Sequence, residues 1–340
     1  MHNKYEVDMS SVSDSAKTVK QKASDYLSVG QIRYLKSASD LRAYLMFAFN
    51  WLLIAFAFFI VAVWPNIITV IVALFILGGR QLGLGILLHE CSHRSFFSTQ
   101  KQNDLVGHWL AGIPVLVPID FYRPYHFTHH TKTGTDEDPD VGNIAQYPVS
   151  KDSFKRKIIR DFLGLSGLKA TSALLFYVLP GRAGNAVSLG VNSDKIGTDA
   201  GWKMGLRNYL HVVSFHLIFF SILAASGHAS LYALWWIAYI FTHPFIIRVR
   251  QIAEHGAMPA LASEDVRHTT RTTIANWWER LLFAPNYVNY HCEHHLLPTV
   301  PSYRLSEMHR ILKLRGFYKS NEEALVEKGY PEIIRLASAG

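Results

Sequence analysis

The feature that most constrains this chain is its long apolar runs, which contain at most one charged residue each. The first run, Ala43–Trp64, is 22 residues long. At a rise of about 1.5 Å per residue, a helix of that length covers a hydrocarbon layer of about 30 Å. The run therefore predicts a helix that crosses a membrane.

Similar runs follow, and together they form two pairs. The turn signal Trp64-Pro65-Asn66 joins the first pair, and the short polar link Gly227-His228 joins the second. The second run is apolar except for Arg80 and Gln81. The sequence therefore predicts an all-α integral membrane protein with four transmembrane helices in two hairpins, at residues 43–64, 67–88, 208–226 and 229–247.

The distribution of Lys and Arg predicts how these helices are oriented. Both hairpin links lack these residues, whereas the N-terminal tail, the segment Glu90–Arg207 and the C-terminal part are rich in them. Because positively charged loops stay in the cytoplasm, both termini and every large loop are expected there, at the inner membrane if the protein is bacterial. The formal charge of +8 then suits anionic lipid head groups, and no nucleic-acid partner is expected.

The domain organisation follows from the predicted helices. Residues 1–40 lack the apolar core of a signal peptide and are expected to form a cytoplasmic tail. Residues 41–315 form the membrane domain, and residues 316–340 form a cytoplasmic C-terminal helix or tail. Two further apolar pieces are interrupted by polar residues, Pro or Gly. We expect 105–119 to be re-entrant or interfacial and 162–179 to be an interfacial helix.

Histidine is the strongest indication of function. The chain has 17, and nine fall into four short patterns, namely His89, His93, His126, His129, His130, His255, His291, His294 and His295. Residues at i, i+3 and i+4 share a helix face, so each pattern can present its imidazoles to one point. One ion takes four to six ligands, so nine histidines predict two metal ions, held in a cytoplasmic helical cap. Imidazole suits iron, zinc, copper and nickel alike.

Other polar residues give weaker signals. Glu90, Glu254 and Glu293 could orient the ring N–H groups of the ligands. The acidic run 136–140 could do the same, although such a run is also typical of a solvated turn. The histidines outside the four patterns are expected to be structural, interfacial or, for His309, exposed to solvent.

Two other classes of protein share some of these features. His89 to His93 reads HECSH and matches the HExxH motif of a membrane zinc metalloprotease, in which the glutamate acts as base. A protease needs only one further ligand, which leaves six of the other seven histidines without a role. A membrane metal transporter would place its ligands near the middle of the spans, where this chain is nearly all apolar.

The series HECSH, HFTHH, AEHG and HCEHH around two apolar hairpins resembles the membrane fatty acid desaturase and hydroxylase superfamily, from about Leu41 to Arg315. The resemblance implies a mushroom-shaped helical protein in which all nine histidines named above bind two iron ions. It also implies O₂-dependent oxidation of a fatty acyl or other lipid-like chain. Desaturation is the expected outcome, and hydroxylation is the alternative.

The chemistry itself calls for a redox metal. Abstraction of hydrogen from an unactivated methylene needs a strong oxidant, which neither a side chain nor zinc supplies. The sequence has no HPGG haem motif, so electrons are expected from a separate ferredoxin, rubredoxin or cytochrome b5 that docks on the basic cytoplasmic surface. An acyl tunnel is expected to be lined by apolar and aromatic side chains such as Trp109, Phe121, Tyr125, Trp235 and Trp236, although aromatic residues near a membrane are more often anchors.

Overall fold

The computed structural model describes residues 21–181 and 202–340. A short 3-10 turn precedes α1 (Val29–Leu35), which Ser28 caps by accepting a hydrogen bond from the backbone N–H of Gln31. The part of the predicted tail before residue 21 lies outside the described residues.

The first hairpin consists of α2 (Asp40–Val63) and α3 (Ile67–Ser92). The side chain of Asn66 accepts hydrogen bonds from the first backbone N–H groups of α3, which caps that helix at the predicted turn. The two helices approach closely where Gly83 faces Asn50, since a Cβ atom at Gly83 would lie 2.1 Å from the Asn50 side-chain oxygen. α3 continues past the predicted end of its span, so its last turns carry the first histidine pattern.

After the first hairpin the chain bends sharply. α4 (Gln100–Gly107) continues through a π turn at His108–Gly112 and a 3-10 turn at Ile113–Val115. α5 (Ile119–Lys132) then departs at 91° to this stretch. Leu116 makes the bend with a left-handed φ of 65°. The geometry is that of a broken span or a re-entrant loop, and the re-entrant segment predicted here is compatible with it.

The helices that follow are short. They are α6 (Val141–Ile144), α7 (Lys151–Phe162) and α8 (Leu165–Ala173), the last extended by a π turn at Leu174–Val178. The predicted interfacial helix is thus broken between α7 and α8, because Gly164 takes a left-handed φ of 76°.

The second hairpin begins with α9 (Trp202–Ala225). A 3-10 turn at Ala229–Leu231 leads into α10 (Tyr232–Ile237), a π turn at Ala238–Thr242 and α11 (His243–His255), which form one helical stretch of 27 residues. The stretch exceeds the predicted span because the polar residues after its apolar part stay helical. The described residues contain four helices long and apolar enough to cross a membrane, which confirms the predicted fold class.

The C-terminal region is built of short elements. It contains α12 (Val266–Thr269), α13 (Trp277–Leu282), α14 (His291–Leu296), α15 (Leu305–Leu314) and α16 (Tyr330–Ala337), with a parallel pair of strands, β1 (Thr272–Thr273) and β2 (Leu325–Val326). β1, α12 and α15 contact α14, which carries the last histidine pattern. α15 buries Leu305, Met308 and Leu312, as its helical spacing predicts.

The outward faces of the long helices are apolar. Leu52 on α2, Ile68 on α3 and Ile218 on α9 are 67%, 71% and 62% exposed. A soluble monomer rarely exposes an apolar surface of this extent, so these faces fit contact with lipid chains. The inward faces pack around Leu77 and Trp235, which are fully buried.

Candidate metal centre

All nine predicted ligands converge where the ends of α3 and α11 meet α5 and α14. Their ring nitrogens fall into two sets, and within each set the ligand atoms lie within 4.8 Å of one another. We call the first the five-histidine group; it consists of His89, His93, His126, His130 and His294. We call the second the four-histidine group; it consists of His129, His255, His291 and His295.

Helical periodicity divides the histidines between the groups. A helix turns about 100° per residue, so residue i+4 is rotated by about 40° from residue i, whereas i+3 is rotated by about 60° in the opposite sense. On α5, the i and i+4 histidines join the five-histidine group, and His129 at i+3 joins the other. On α14 the assignment is reversed, and only His294 at i+3 enters the five-histidine group. Each HxxHH pattern therefore contributes to both groups.

The Nε2 atoms of the five-histidine group form a continuous series. His89 Nε2 lies 2.8 Å from His294 Nε2, which lies 3.0 Å from His130 Nε2. The series continues over 2.9 Å to His126 Nε2 and over 2.8 Å to His93 Nε2. All five side chains thus direct the same ring nitrogen toward a common region.

The four-histidine group has the same character. His255 Nε2 lies 2.8 Å from His291 Nε2 and 3.2 Å from His129 Nε2. The fourth member, His295, has a buried Nε2 atom with no hydrogen-bond partner anywhere in residues 21–181 or 202–340. A buried ring nitrogen without a partner is unfavourable unless a cation binds it.

The donor set fits a metal ion in each group. At a metal–nitrogen distance of about 2.1 Å, two ligands at right angles around an ion lie about 3.0 Å apart. The Nε2 separations of 2.8 to 3.2 Å match that value. Neutral rings placed this way, without a cation, would direct lone pairs at one another.

Hydrogen bonds on the far side of two rings set their orientation. His129 Nδ1 donates to Asp138 Oδ1 at 2.8 Å, and His255 Nδ1 donates to the carbonyl oxygen of Thr269 at 2.9 Å. Each bond places the ring proton on Nδ1 and leaves the Nε2 lone pair directed into the four-histidine group.

Burial keeps most ligands outside the spans in the neutral form that binds metal. Burial, with a further contribution from Arg123, lowers the pKa of His93 to about 3. Burial and the neighbouring rings also hold the pKa of the other ligands on α5 and α14, except His129, well below the ordinary value. Burial opposes the charging of His129 as well, but Asp138 and Asp140 outweigh it, so the pKa of His129 is raised.

Residues of the acidic run 136–140 take both of the roles considered for it, orientation of a histidine ring and a solvated turn. Asp138 is fully buried and orients His129, while its Oδ2 atom accepts a hydrogen bond from the backbone N–H of Gly134 at 2.8 Å. Glu137 is exposed and pairs with Lys132 at 3.0 Å. One acid therefore orients a histidine of the four-histidine group, and its neighbour lies on a solvated turn.

Two of the three glutamates predicted to orient the ligands, Glu254 and Glu90, differ in their contacts. Glu254 Oε1 contacts Arg250 Nε at 2.5 Å and lies 3.6 Å from His291 Nδ1, which is too far for a hydrogen bond. Glu90 Oε2 accepts a hydrogen bond from the backbone N–H of Ser302 at 2.7 Å, and its Oε1 lies 3.8 Å from His89 Nε2. Glu90 thus connects α3 to the segment before α15.

The predicted roles of Glu293 and His309 are wrong. Glu293 lies on the face of α14 opposite the metal centre, where its fully buried carboxylate accepts hydrogen bonds from the hydroxyl groups of Thr272 and Tyr318 and contacts His309 Nδ1 at 2.5 Å. His309 is 8% exposed, not solvated. Its position at i+4 from Leu305, on the apolar face of α15, could have indicated this burial.

Two cavities lie near the histidine cluster, and only the smaller one is lined by its members. A small one of about 20 Å³ lies against His89, Tyr122 and His255. A larger one of about 400 Å³ lies between α3, α8 and α11, and Gln251 lines both. The aromatic residues expected to line a tunnel do not line the larger cavity as the described residues form it; Trp235, for example, is buried in the membrane core.

Comparison with known proteins gives a consistent result. A family model described as fatty acid desaturase matches residues 62–322. The dihydrorhizobitoxine desaturase of Bradyrhizobium elkanii is 28% identical over 70% of this chain and 66% of its own length. A chloroplastic omega-6 fatty acid desaturase of Brassica napus is 24% identical over 69% of this chain and 52% of its own length. The chain thus spans about half to two thirds of the length of these curated relatives.

A shorter match has higher identity. An sn-1 acyl-lipid omega-3 desaturase (ferredoxin) of a Nostoc species is 38% identical over 72 residues, which are 21% of this chain and 19% of that protein.

Proposed function

The chain belongs to the fatty acid desaturase family of oxidoreductases, and from this premise we propose that its nine clustered histidines bind two iron ions that oxidise a lipid-like hydrocarbon chain with O₂. The observation that carries the proposal is the convergence of nine histidine ring nitrogens, six of them on buried side chains, into two adjacent groups. The ligands would be His89, His93, His126, His130 and His294 for one iron and His129, His255, His291 and His295 for the other.

Iron is proposed because the chemistry requires a redox metal. When bound, a pair of iron ions supplies the oxidising power to remove hydrogen from a methylene group, using O₂ and external electrons. The protein holds neutral imidazoles at fixed spacing, so the site is organised before the metal binds. It also keeps most of these rings away from solvent.

The larger cavity supports a lipid substrate. Gln251 lines both this cavity and the small one beside His89 and His255, and α7 and α8 form the other side of the larger cavity. These helices expose Phe162, Leu163 and Leu168, which are 40%, 61% and 51% accessible, next to the basic residues Arg156 and Arg160. Exposed apolar and basic residues together are typical of an element at an anionic membrane surface. A chain taken from the membrane could thus enter toward the metal centre.

Desaturation is proposed over hydroxylation because the relatives described above are desaturases. The electron donor is proposed to be a separate protein, and the ferredoxin named for the Nostoc relative makes a ferredoxin the first candidate, ahead of rubredoxin or cytochrome b5. The Lys- and Arg-rich loops would lie on the cytoplasmic side, together with the metal centre and both termini. A donor that docks on these loops would therefore approach from the cytoplasm.

The geometry disfavours a zinc protease. A protease of the HExxH type would need the Glu90 carboxylate free to act on water beside the metal. Glu90 instead accepts a hydrogen bond from the backbone of Ser302. The histidines of the motif, His89 and His93, also share their group with three others.

Metal analysis and lipid analysis of the full chain test the proposal. Purified protein is expected to contain close to two iron ions per chain, and lipid extracts from an expressing host are expected to show a product lighter by two hydrogens. Protein that holds a single zinc ion and no iron would overturn the diiron assignment. A product heavier by one oxygen would replace desaturation with hydroxylation.

A further inference from the structure

The larger cavity is lined by charges of one sign. No Asp or Glu of the described residues lines it, whereas four basic residues do, namely Lys157, Arg160, Lys169 and Arg248. Charges of one sign around a cavity attract ligands of the opposite sign. Which of these cations the protein itself neutralises therefore decides whether the cavity attracts an anion.

Arg248 is neutralised within the protein. Its Nε and Nη2 atoms donate to the two carboxylate oxygens of Asp161 at 2.6 and 2.8 Å. Asp161 is fully buried, and the paired hydrogen bonds connect α11 to the end of α7. Arg248 thus holds the two helices together, which places the other cations of α7 beside α11.

Lys157 and Arg160 are not neutralised in this way. The ammonium group of Lys157 donates to the side-chain oxygen of Gln146, which is uncharged, and neither cation forms a salt bridge within residues 21–181 and 202–340. Burial, followed by the charges of Arg248 and Arg160, lowers the pKa of Lys157, although Asp161 opposes the shift. The electrostatic surroundings of Lys157 are therefore positive, and an anion bound there would be stabilised.

The same two cations can reach one ligand. Lys157 and Arg160 are three residues apart on α7, and residues at this spacing share a helix face with Cβ atoms about 5 to 6 Å apart. Both line the cavity, and neither side chain is buried, since Lys157 is partly exposed and Arg160 is exposed. A single carboxylate or phosphate can accept hydrogen bonds from both.

Other parts of the lining suit a hydrocarbon chain. Leu82 on α3, Val115 in the 3-10 turn, Leu174 after α8 and Ile247 on α11 all contribute apolar surface to the cavity. The cavity thus combines apolar walls with a pair of cations on α7. This combination matches a molecule that has both an apolar chain and an anionic group.

Resting on the proposed oxidation of a lipid-like chain, we propose that the substrate is an anionic amphiphile whose carboxylate or phosphate group binds Lys157 and Arg160 while its hydrocarbon chain occupies the apolar part of the larger cavity. An acyl chain on an uncharged head group offers these cations no anion. The cavity therefore selects substrates by head-group charge.

A general attraction of α7 to an anionic surface would also favour anionic ligands, and the same helix provides the control for it. Lys155 and Arg156 are exposed basic residues of α7, but neither lines the cavity as the described residues form it. General attraction depends on every exposed charge of the helix. The proposed site depends on Lys157 and Arg160 alone.

Ligand binding to the purified full chain in an uncharged detergent tests the proposal without requiring turnover. The probes share one oleoyl chain and are oleate, 1-oleoyl-lysophosphatidic acid and the neutral 1-monooleoylglycerol. Binding is measured as the rise in Tm with ligand concentration. At low salt the better anionic probe is expected to bind about ten-fold more tightly than the neutral one. Which anionic probe binds better distinguishes the carboxylate of a free fatty acid from the phosphate of a lipid head group.

Three variants connect that preference to the cavity. Arg160→Gln and Lys157→Gln each remove one cation and should each reduce the preference about three-fold. Arg156→Gln removes a charge from the same helix outside the cavity and should leave the preference unchanged. Equal binding of the neutral and anionic probes to the unmodified protein overturns the proposal. So does an equal loss in the Arg156→Gln and Arg160→Gln proteins, or a preference that survives Lys157→Gln and Arg160→Gln together. Iron content and lipid products of the unmodified protein report on the oxidation function separately.

Discussion

The Nε2 atoms of His89 and His294 lie 2.8 Å apart although the residues are 205 positions apart in the sequence. The contact joins the end of the first hairpin to the last histidine pattern. The five-histidine group can therefore form only when the membrane helices and the C-terminal region are both folded. Mutation of either residue is expected to disrupt the group.

We expect His294→Ala to abolish oxidation and to lower the iron content from about two ions to about one, because the five-histidine group loses a ligand that contacts two other members. Iron analysis and lipid mass spectrometry measure the two effects. His228→Ala is the control, since His228 is an exposed histidine in the hairpin link. Full turnover by His294→Ala protein would remove this residue from the site.

Iron should leave the two groups at different pH. The raised pKa of His129 means that a proton competes with metal there above the ordinary histidine value of 6.5. The lowered pKa values of His93, His126, His130 and His294 mean that protons compete with metal in the five-histidine group only at lower pH. As the pH falls from about 8 to about 5, iron content should therefore drop first by about one ion. Simultaneous loss of both ions would contradict this order.

Glu293→Gln should loosen α14. The buried carboxylate receives the Thr272 and Tyr318 hydroxyl groups and contacts His309, and hydrogen bonds to a charged group contribute about 2 kcal/mol each. Since α14 supplies ligands to both groups, the variant should have a lower Tm and lose iron from both. Glu327→Gln changes an exposed carboxylate paired with Lys313 and should alter neither quantity. Unchanged iron content in Glu293→Gln protein would show that α14 is held by other contacts.

Gly85→Leu should block the larger cavity. Gly85 lines it, and a Cβ atom built there meets nothing within 4 Å, so a side chain extends into free space. Leucine also favours a helix by up to about 1 kcal/mol over glycine, which protects the fold of α3. We expect normal iron content and at least about a ten-fold loss of lipid oxidation. Gly30→Leu, at another position where a Cβ atom meets nothing within 4 Å, is the matched control. Unimpaired oxidation by Gly85→Leu protein would place the substrate path elsewhere.

The sequence predicted the spans and the histidine patterns because both are local signals within single helices, the first a long apolar run and the second a fixed spacing. The division of the histidines into two groups also follows from periodicity, since i and i+4 residues share a direction that i+3 residues do not. The sequence did not indicate which of the two histidine groups each helix face would contribute to. That depends on how α5 and α14 pack, and no local pattern encodes this packing.

His309 shows a different limit. Its spacing placed it on the buried face of α15, but a titratable residue is usually solvated, and that expectation outweighed the pattern. Only the contact with Glu293, which comes from another helix, explains why burial is tolerated. The larger cavity was equally hidden, because residues that line it, such as Gln81, Thr171 and His243, come from three separate helices.

The π turn at Ala238–Thr242 sets the angular phase of everything that follows it in the same helical stretch. A π turn accommodates one extra residue, and one residue corresponds to about 100° of rotation. Deleting a single residue there would turn His255 away from His129 without changing any ligand. Insertion and deletion at this turn thus offer evolution a way to rotate a metal ligand from a distance, inside a segment whose composition only has to remain apolar.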